Sequence, residues 1–179
     1  ESIGELLGIF ARVDDGYLDN FRYAFPVLQE LELTATFFIS TAYVNTGITF
    51  PKNRVKALVR HDSDGMKEQV VEDLGIEHNL ISSEEEYVEQ IGNALMQDRD
   101  PQELSFQLDK WENVLGTGVK EYSAFQVMDW TNLDSLQQAG MTIGAHTVNH
   151  RRLEGLTRKE VLDEILGSRD ELQSNLGLP

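Results

Sequence analysis

The sequence predicts an α/β fold, and three observations carry that reading. An apolar run at residues 6–13, a helical pattern over residues 19–31 and a β-branched, aromatic run at residues 34–39 follow one another in order. Strand, helix and strand within about 30 residues make one βαβ unit, whose strands run parallel. Far downstream, a short apolar strand at residues 141–145 precedes a long helical pattern at residues 157–176. With 179 residues and 40% hydrophobic content, the chain can bury a core, and one domain spanning residues 1–179 is the expectation.

Composition narrows the partners. The net charge of −16 argues against nucleic acid and anionic lipid, and the short basic clusters around Lys52 and at Arg151-Arg152 do not overturn it. Neutral or cationic substrates stay compatible. No apolar run approaches the ~18 residues of a membrane span. Glu1 to Glu5 show no basic region of a signal peptide, so the compartment is open between cell envelope or extracellular space and cytoplasm. The absence of Cys removes disulfides and thiolate metal sites. Oligomeric state is not legible.

Each element has a local reason. Residues 6–13 are bounded by Gly4 and by Asp14-Asp15-Gly16, as a buried strand would be, with Arg12 the odd residue inside it. Asp19 or Asn20 can cap a helix with Phe21, Ala24, Phe25, Leu28 and Leu31 at helical spacing. Pro26 predicts a break or restart within it. Residues 40–122 read as a mostly helical insertion covering one edge of the fold. It offers a short helix near residues 64–74, and a capping box at Ser83 opening a helix with Tyr87, Val88, Ile91 and Leu95 inward. A further helix opens at Pro101 with Leu104, Leu108, Trp111 and Leu115 on one stripe. Its acidic runs read as solvated helix faces. Thr131 is expected to cap a short helix through Leu133 and Leu136 that stops at Gly140. Thr157 and Glu160 form a capping box for the last helix, with Val161, Leu162, Ile165, Leu166, Leu172 and Leu176 inward and Gly177 at its end.

Two stretches carry chemistry. Asp14-Asp15-Gly16 places paired carboxylates at a strand end, where one can bind a metal and the other take a proton from water. Gly16 supports a sharp turn that aims both side chains at one place. Read blandly, the same tripeptide is an ordinary turn. His146 and His150, four apart after the apolar strand, are expected on one side of a near-helical turn, reaching one cation. Gly144 and Ala145 leave room for close approach. His61 and His78 lack partners at ligand spacing and read as surface residues. A calcium loop at residues 62–65 fails on its own arithmetic. Placing Gly65 at position 6 puts Arg60 at position 1 and Val71 at position 12, where carboxylates are required.

Asp14-Asp15-Gly16-Tyr17, Asp19-Asn20-Phe21, Ala24-Phe25-Pro26-Val27-Leu28 and Ala35-Thr36-Phe37-Phe38-Ile39 resemble the opening of the polysaccharide deacetylase family, the NodB-homology domain of family 4 carbohydrate esterases. Trp130, Leu133, Ala139-Gly140, Ile143-Gly144, His146-Thr147-Val148-Asn149-His150 and Leu153 resemble its second block, with the His-Ser/Thr-x-x-His motif. The resemblance implies a distorted, incomplete (β/α) barrel with a helical insertion, its site at the C-terminal ends of the strands. It implies that Asp15, His146 and His150 hold a divalent metal, usually Zn2+, with Co2+, Ni2+ or Mn2+ as substitutes. Asp14 would be the general base, taking a proton from a metal-activated water that attacks an acetamide carbonyl. Thr147 would steady the His loop by hydrogen bonding. The substrate implied is an N-acetylated (or O-acetylated) polysaccharide or oligosaccharide.

The chain departs from the family pattern in three places. Arg12-Val13 stand where Thr-Phe is usual, so an Arg sits next to the carboxylates or points outward. The insertion at residues 40–122 is long. The later blocks, an Arg segment orienting the base and a Leu-x-x-His segment supplying the general acid, have no counterpart before Pro179. The C-terminal part of the family domain is therefore expected to be absent, with turnover reduced. Two other classes share the ligand set. One is a non-catalytic domain that keeps the metal and binds glycan or a partner protein; the other is a non-haem iron oxygenase, which usually has an all-β scaffold.

Overall fold

The structure, a computed structural model, describes residues 11–60, 70, 72–75, 83, 86, 88–92, 101–115 and 125–177. Residues 6–10, His61, His78 and the 62–65 segment lie outside the described residues. The chain divides into two compact units, one built from Glu1–Ile48 and Ala124–Pro179, the other from Thr49–Ser123.

The first unit is α/β. Its three strands, β1 (Ala11–Val13), β2 (Ala35–Ile39) and β3 (Thr142–Ala145), form one parallel sheet in the order β1-β2-β3. In the central strand Ala35, Phe37 and Ile39 are buried, while Thr36 and Phe38 are only half-buried. The register pairs Val13 with Phe37, Phe37 with Ile143, and Ile39 with Ala145. Because all three strands point the same way, Asp14, Ser40 and His146 leave the sheet along one edge. That is where open parallel sheets place their ligands.

Between β1 and β2 the restart expected at Pro26 takes a specific form. A π-helical turn, Asn20–Ala24, runs into α1 (Phe25–Glu30), with Pro26 in the first turn where its missing N–H costs nothing. Phe25 is buried, but Leu31 is exposed, so the inward stripe ends at Leu28.

Helix α4 (Trp130–Gln138) is capped by Asp129 and not by Thr131, which is exposed. Asp129 accepts from the Asn132 N–H and Asn132 Oδ1 accepts from the Asp129 N–H, at 2.8 and 3.1 Å, a closed capping box. Leu133 and Leu136 are fully buried with Phe37, Ile39 and Met128. Helix α5 (Arg158–Leu176) opens on the expected box, with Glu160 accepting from the Thr157 N–H and hydroxyl at 2.8 and 2.7 Å. It closes at Gly177, which takes φ +65°. Its buried face agrees with the expected one at Leu172 and Leu176, which join the core, and differs from it nearer the start of the helix. Glu164, Ser168 and Leu172 are buried, whereas Leu162, Ile165 and Leu166 are 38, 45 and 39% exposed. The reason is close packing: a Cβ on Gly167 would meet Val148 Cγ2 at 2.8 Å, so the helix lies against the His loop through small and hydrogen-bonding residues, with no room for leucines there.

The second unit contains α2 (Pro51–Arg60), a helical segment at residues 88–92 and α3 (Pro101–Leu115). Val55, Leu58, Val88, Ile91, Leu104, Leu108 and Trp111 belong to its core. Val88, Ile91, Leu104, Leu108 and Trp111 lie on the stripes read from the sequence. Residues 41–60, by contrast, read as irregular in the sequence, and the helix Pro51–Arg60, with Val55 and Leu58 buried, corrects that reading. Tyr87 and Leu95 lie outside the described residues, as does the side chain of Leu115. The Ser83 hydroxyl accepts from the Glu86 N–H at 3.1 Å, as the capping pattern required. Buried Arg54 donates to both oxygens of Glu112 and to Asp109 at 2.6–2.8 Å, which compensates its desolvation. Residues 40–48 belong with the first unit, because Ser40, Thr41, Ala42 and Tyr43 all bond to the 146–149 segment.

Candidate metal centre

The site begins where β1 stops. Asp15 takes φ +75° and Gly16 +85°. A Cβ on Gly16 would meet Ile39 Cδ1 at 3.1 Å, so this position needs glycine for its conformation and tolerates little beyond it. The turn is pinned from the far side by residues 126–128. Met128 N–H donates to the Gly16 carbonyl at 2.9 Å, and Leu18 N–H to that of Gln126 at 2.8 Å. Residues 17 and 127 form an antiparallel bridge.

The two histidines follow β3 directly, and the segment that carries them is not helical. Main-chain bonding prolongs the β2–β3 pairing past the strand ends. His146 N–H donates to the Ile39 carbonyl at 2.9 Å, Thr41 N–H to Thr147 at 3.3 Å and Ala42 N–H to Val148 at 3.0 Å. The Ser40 hydroxyl donates to the His146 carbonyl at 2.8 Å. With these carbonyls turned toward donors on the β2 side, the segment does not close helical bonds. The loop turns instead through left-handed residues, Thr147 at φ +65° and His150 at +56°. Thr147 takes part through its carbonyl; its buried hydroxyl has no hydrogen-bond partner among the described residues.

These turns bring three side chains together. Asp15 Oδ1 lies 3.3 Å from His146 Nε2 and 3.1 Å from His150 Nε2, and the two imidazole centroids are 5.0 Å apart. The three donor atoms all lie within 4.8 Å of one another. Bonds of ~2.0–2.1 Å to a tetrahedral zinc separate neighbouring ligands by roughly 3.3 Å, so the arrangement fits a divalent cation. Two imidazoles and one carboxylate are also the donor set of catalytic sites, leaving positions for water and substrate. The hydrogen bond from His150 holds the Asp15 carboxyl below its ordinary pKa, against the opposing effect of partial burial, and the charges of His150 and His146 add to it.

Asp14 is not one of the three converging groups. It is exposed, and its Oδ1 accepts from Arg12 Nε at 2.7 Å. The Arg12 guanidinium lies 4.8 Å from the Phe38 ring centroid, and that ring is 6.3 Å from His146. Phe38 is seated on Gly144 across the β2–β3 pair; an ideal Cβ there would come within 2.8 Å of the ring. Arg12 thus pairs with Asp14 and stacks on an aromatic, which settles the choice between pairing and pointing away.

The sequence model for polysaccharide deacetylases matches residues 81–179, more than half of the chain. The chain belongs to the polysaccharide deacetylase family. The match takes in both histidines of this deacetylase-family chain and stops short of Asp14 and Asp15, which the fold brings to them. Among solved structures, the chain is similar to the Streptococcus pyogenes deacetylase PplD in complex with acetate. The two are 15% identical with a TM-score of 0.47, over 93% of this chain and 40% of that one. The chain therefore spans well under half the length of that deacetylase. No curated protein matches the sequence.

Sequence reasoning missed one residue at this site. Glu164 of α5 accepts from the Asn149 N–H at 2.8 Å and from Asn149 Nδ2 at 2.9 Å. Its signal was an acidic residue on the stripe that also carries Ser168 and Leu172.

Proposed function

We propose that this family member is a metal-dependent hydrolase that removes N-acetyl (or O-acetyl) groups from a polysaccharide. In this reading the first unit is part of a distorted, incomplete (β/α) barrel and the second a helical insertion. The observation that carries the reading is the convergence of Asp15 with His146 and His150, residues far apart in sequence, at one edge of a parallel sheet. Those three would hold the cation, for which zinc suits the donor set best, with Co2+, Ni2+ and Mn2+ able to substitute. When bound, such a cation supplies Lewis acidity toward an acyl oxygen and toward water.

The chain's own residues do the rest. Asp14, next to the ligand Asp15 but engaged by Arg12, is the general base that takes the proton of the attacking water. The water oxygen joins the acetyl carbon, the C–N bond breaks, and the proton that Asp14 took from the water passes to the nitrogen, which leaves as the amine beside acetate. Arg12 fixes one oxygen of Asp14 and is itself steadied on Phe38. The net charge of −16 suits a neutral glycan, or one made cationic by deacetylation, over an anionic polymer.

The test is metal analysis of purified wild type beside His146→Ala, with acetate release from N-acetylglucosamine oligomers measured on the same samples. Wild type is expected to carry one equivalent of metal and His146→Ala to lose it. Asp14→Asn is expected to keep the metal and lose the activity. Metal bound without acetate release in wild type would favour the non-catalytic, glycan-binding alternative. Stoichiometric metal in a His146→Ala, His150→Ala double variant would end the assignment.

A further inference from the structure

We infer that Glu164 is a positioning residue for the metal site, acting on His150 through Asn149; the inference rests on the metal reading of the Asp15, His146 and His150 cluster. Glu164 is 3% exposed, on a helix face whose other buried residues are Ser168 and Leu172. A carboxylate in such a place is costly unless donors satisfy it. Here both oxygens are satisfied by one residue. Oε2 accepts from the Asn149 main-chain N–H at 2.8 Å and Oε1 from the Asn149 side-chain amide at 2.9 Å. The Asn149 carbonyl accepts from Tyr43 Oη at 3.2 Å. The residue before His150 is therefore gripped at its N–H, its side chain and its carbonyl.

That grip matters because His150 has an unusual backbone to hold. It stands at φ +56° and its Nε2 lies 3.1 Å from Asp15 Oδ1. A non-glycine residue keeps a left-handed backbone only where its surroundings over-determine it. Glu164 supplies that determination from outside the loop. Gly167, one turn further along α5, leaves no space for a Cβ against Val148, so the helix lies close enough for the carboxylate to reach the amides. Glu164 touches neither imidazole among its hydrogen bonds here; its effect on the cation is through the orientation of His150. Groups that orient metal ligands in this way typically govern affinity by 10–100-fold.

The experiment measures Co2+ and Zn2+ affinity of the full chain by competition with a chromophoric chelator, in a double-mutant cycle. Glu164→Gln keeps the side-chain shape and replaces one acceptor by a donor. It is expected to weaken binding 10–100-fold and to alter the visible absorption of the Co2+ form. In a His150→Ala background the same substitution is expected to change affinity less than about twofold, because the residue it acts on is gone. Equal losses in both backgrounds would mean general loosening of the fold and overturn the inference, as would unchanged affinity in the single variant. Should Glu164→Gln fail to fold, Asn149→Ala carries the same cycle, since it removes the Oε1 bond alone. If wild type binds neither ion, the metal reading fails. Glu164 is then decided on the metal-free protein, where Glu164→Gln is expected to speed exchange of the Asn149 amide and shift the His150 imidazole 15N resonances. Unmoved His150 resonances would overturn the inference there.

Discussion

Asp15, Thr147 and His150 stand at φ +75°, +65° and +56°, the left-handed region that residues other than Gly seldom enter, Asn, Asp and His more often than the β-branched Thr. All three belong to the candidate site, and none of this was visible in the sequence. The His-x-x-x-His spacing suggested a helical turn, yet the same spacing serves a loop whose carbonyls turn toward the Thr41 and Ala42 amides. What the sequence did carry was residue type: carboxylates after one apolar run, imidazoles after another. Asp15 gives a prediction at this scale. Its pKa is lowered in the folded chain, chiefly by the His150 hydrogen bond. A depressed carboxylate contributes stability that is present above the unfolded value, about 4, and lost as pH falls through the folded one. In metal-free protein, Asp15→Asn, which tolerates the same backbone, is therefore expected to melt below wild type at pH 6. The gap should narrow as pH falls below the ordinary carboxylate range, about 4, when Tm is followed against pH. A gap that did not narrow at all under acid would show that the carboxylate's charge is not the cause. Arg12 makes a kinetic prediction. Arg12→Met is expected to lower kcat ten- to a hundredfold by freeing Asp14, with bound metal unchanged and Arg12→Lys intermediate. An equal loss of metal would instead assign Arg12 to the ligand scaffold.

Among the elements, those with strong punctuation were readable. Pro26 marked a restart and the structure restarts there; Thr157 with Glu160 marked a cap and the cap forms. Asp129 was overlooked because Thr131 is also a good capping residue, and only the Asn132 side chain bonding back to the Asp129 N–H decides between them. On α5, Leu172 and Leu176 were read correctly, but the face nearer its start was misread for a different reason. Periodicity shows where leucines repeat, but a helix that lies against a loop needs partners for the loop's amides and small residues at the contact. Gly144 shows the same principle within the sheet. Gly144→Ala would put a methyl within 2.8 Å of the Phe38 ring, displacing it from Arg12 and from the neighbourhood of His146. The expected cost is about 1–3 kcal/mol, with weakened metal binding, measured by thermal melts and chelator competition. An unchanged melt would show that the ring can move without consequence. For α5, Thr157→Ala removes the cap, at a cost of about 1 kcal/mol or roughly 2–4 °C in Tm. Glu160, whose pKa is lowered mainly by the Thr157 hydroxyl and then its N–H, holds the cap above the carboxylate range and releases it as pH falls. The Thr157→Ala deficit should therefore shrink under acid.

At the scale of the whole molecule, the α/β class was legible because each strand is a short apolar run and the parallel direction follows from the helical crossover. The strand order β1-β2-β3 was not, since sequence order alone does not place β3, more than a hundred residues after β2, beside it. The sheet's shared edge gives the distant Asp and His stretches a common address. The division into two compact units makes a prediction about where a ligand's energy goes. Asp15, His146 and His150 all lie in the unit formed by Glu1–Ile48 and Ala124–Pro179, while Val55, Ile91, Leu108 and Trp111 core the other. A cation that binds only the native site at a hundred times its Kd stabilises that state by about 2.7 kcal/mol. Where the units open separately, as cooperative segments of a native protein commonly do, that energy protects only the segment holding the site. Hydrogen exchange with and without Zn2+ should then slow the amides of β2, β3 and α5 up to about a hundredfold, and leave those of α2 and α3 unchanged. In the His146→Ala protein zinc should protect neither set. Protection spread evenly over both units would mean that they open as one body, and protection confined to α2 and α3 would place the cation outside the Asp15, His146 and His150 cluster.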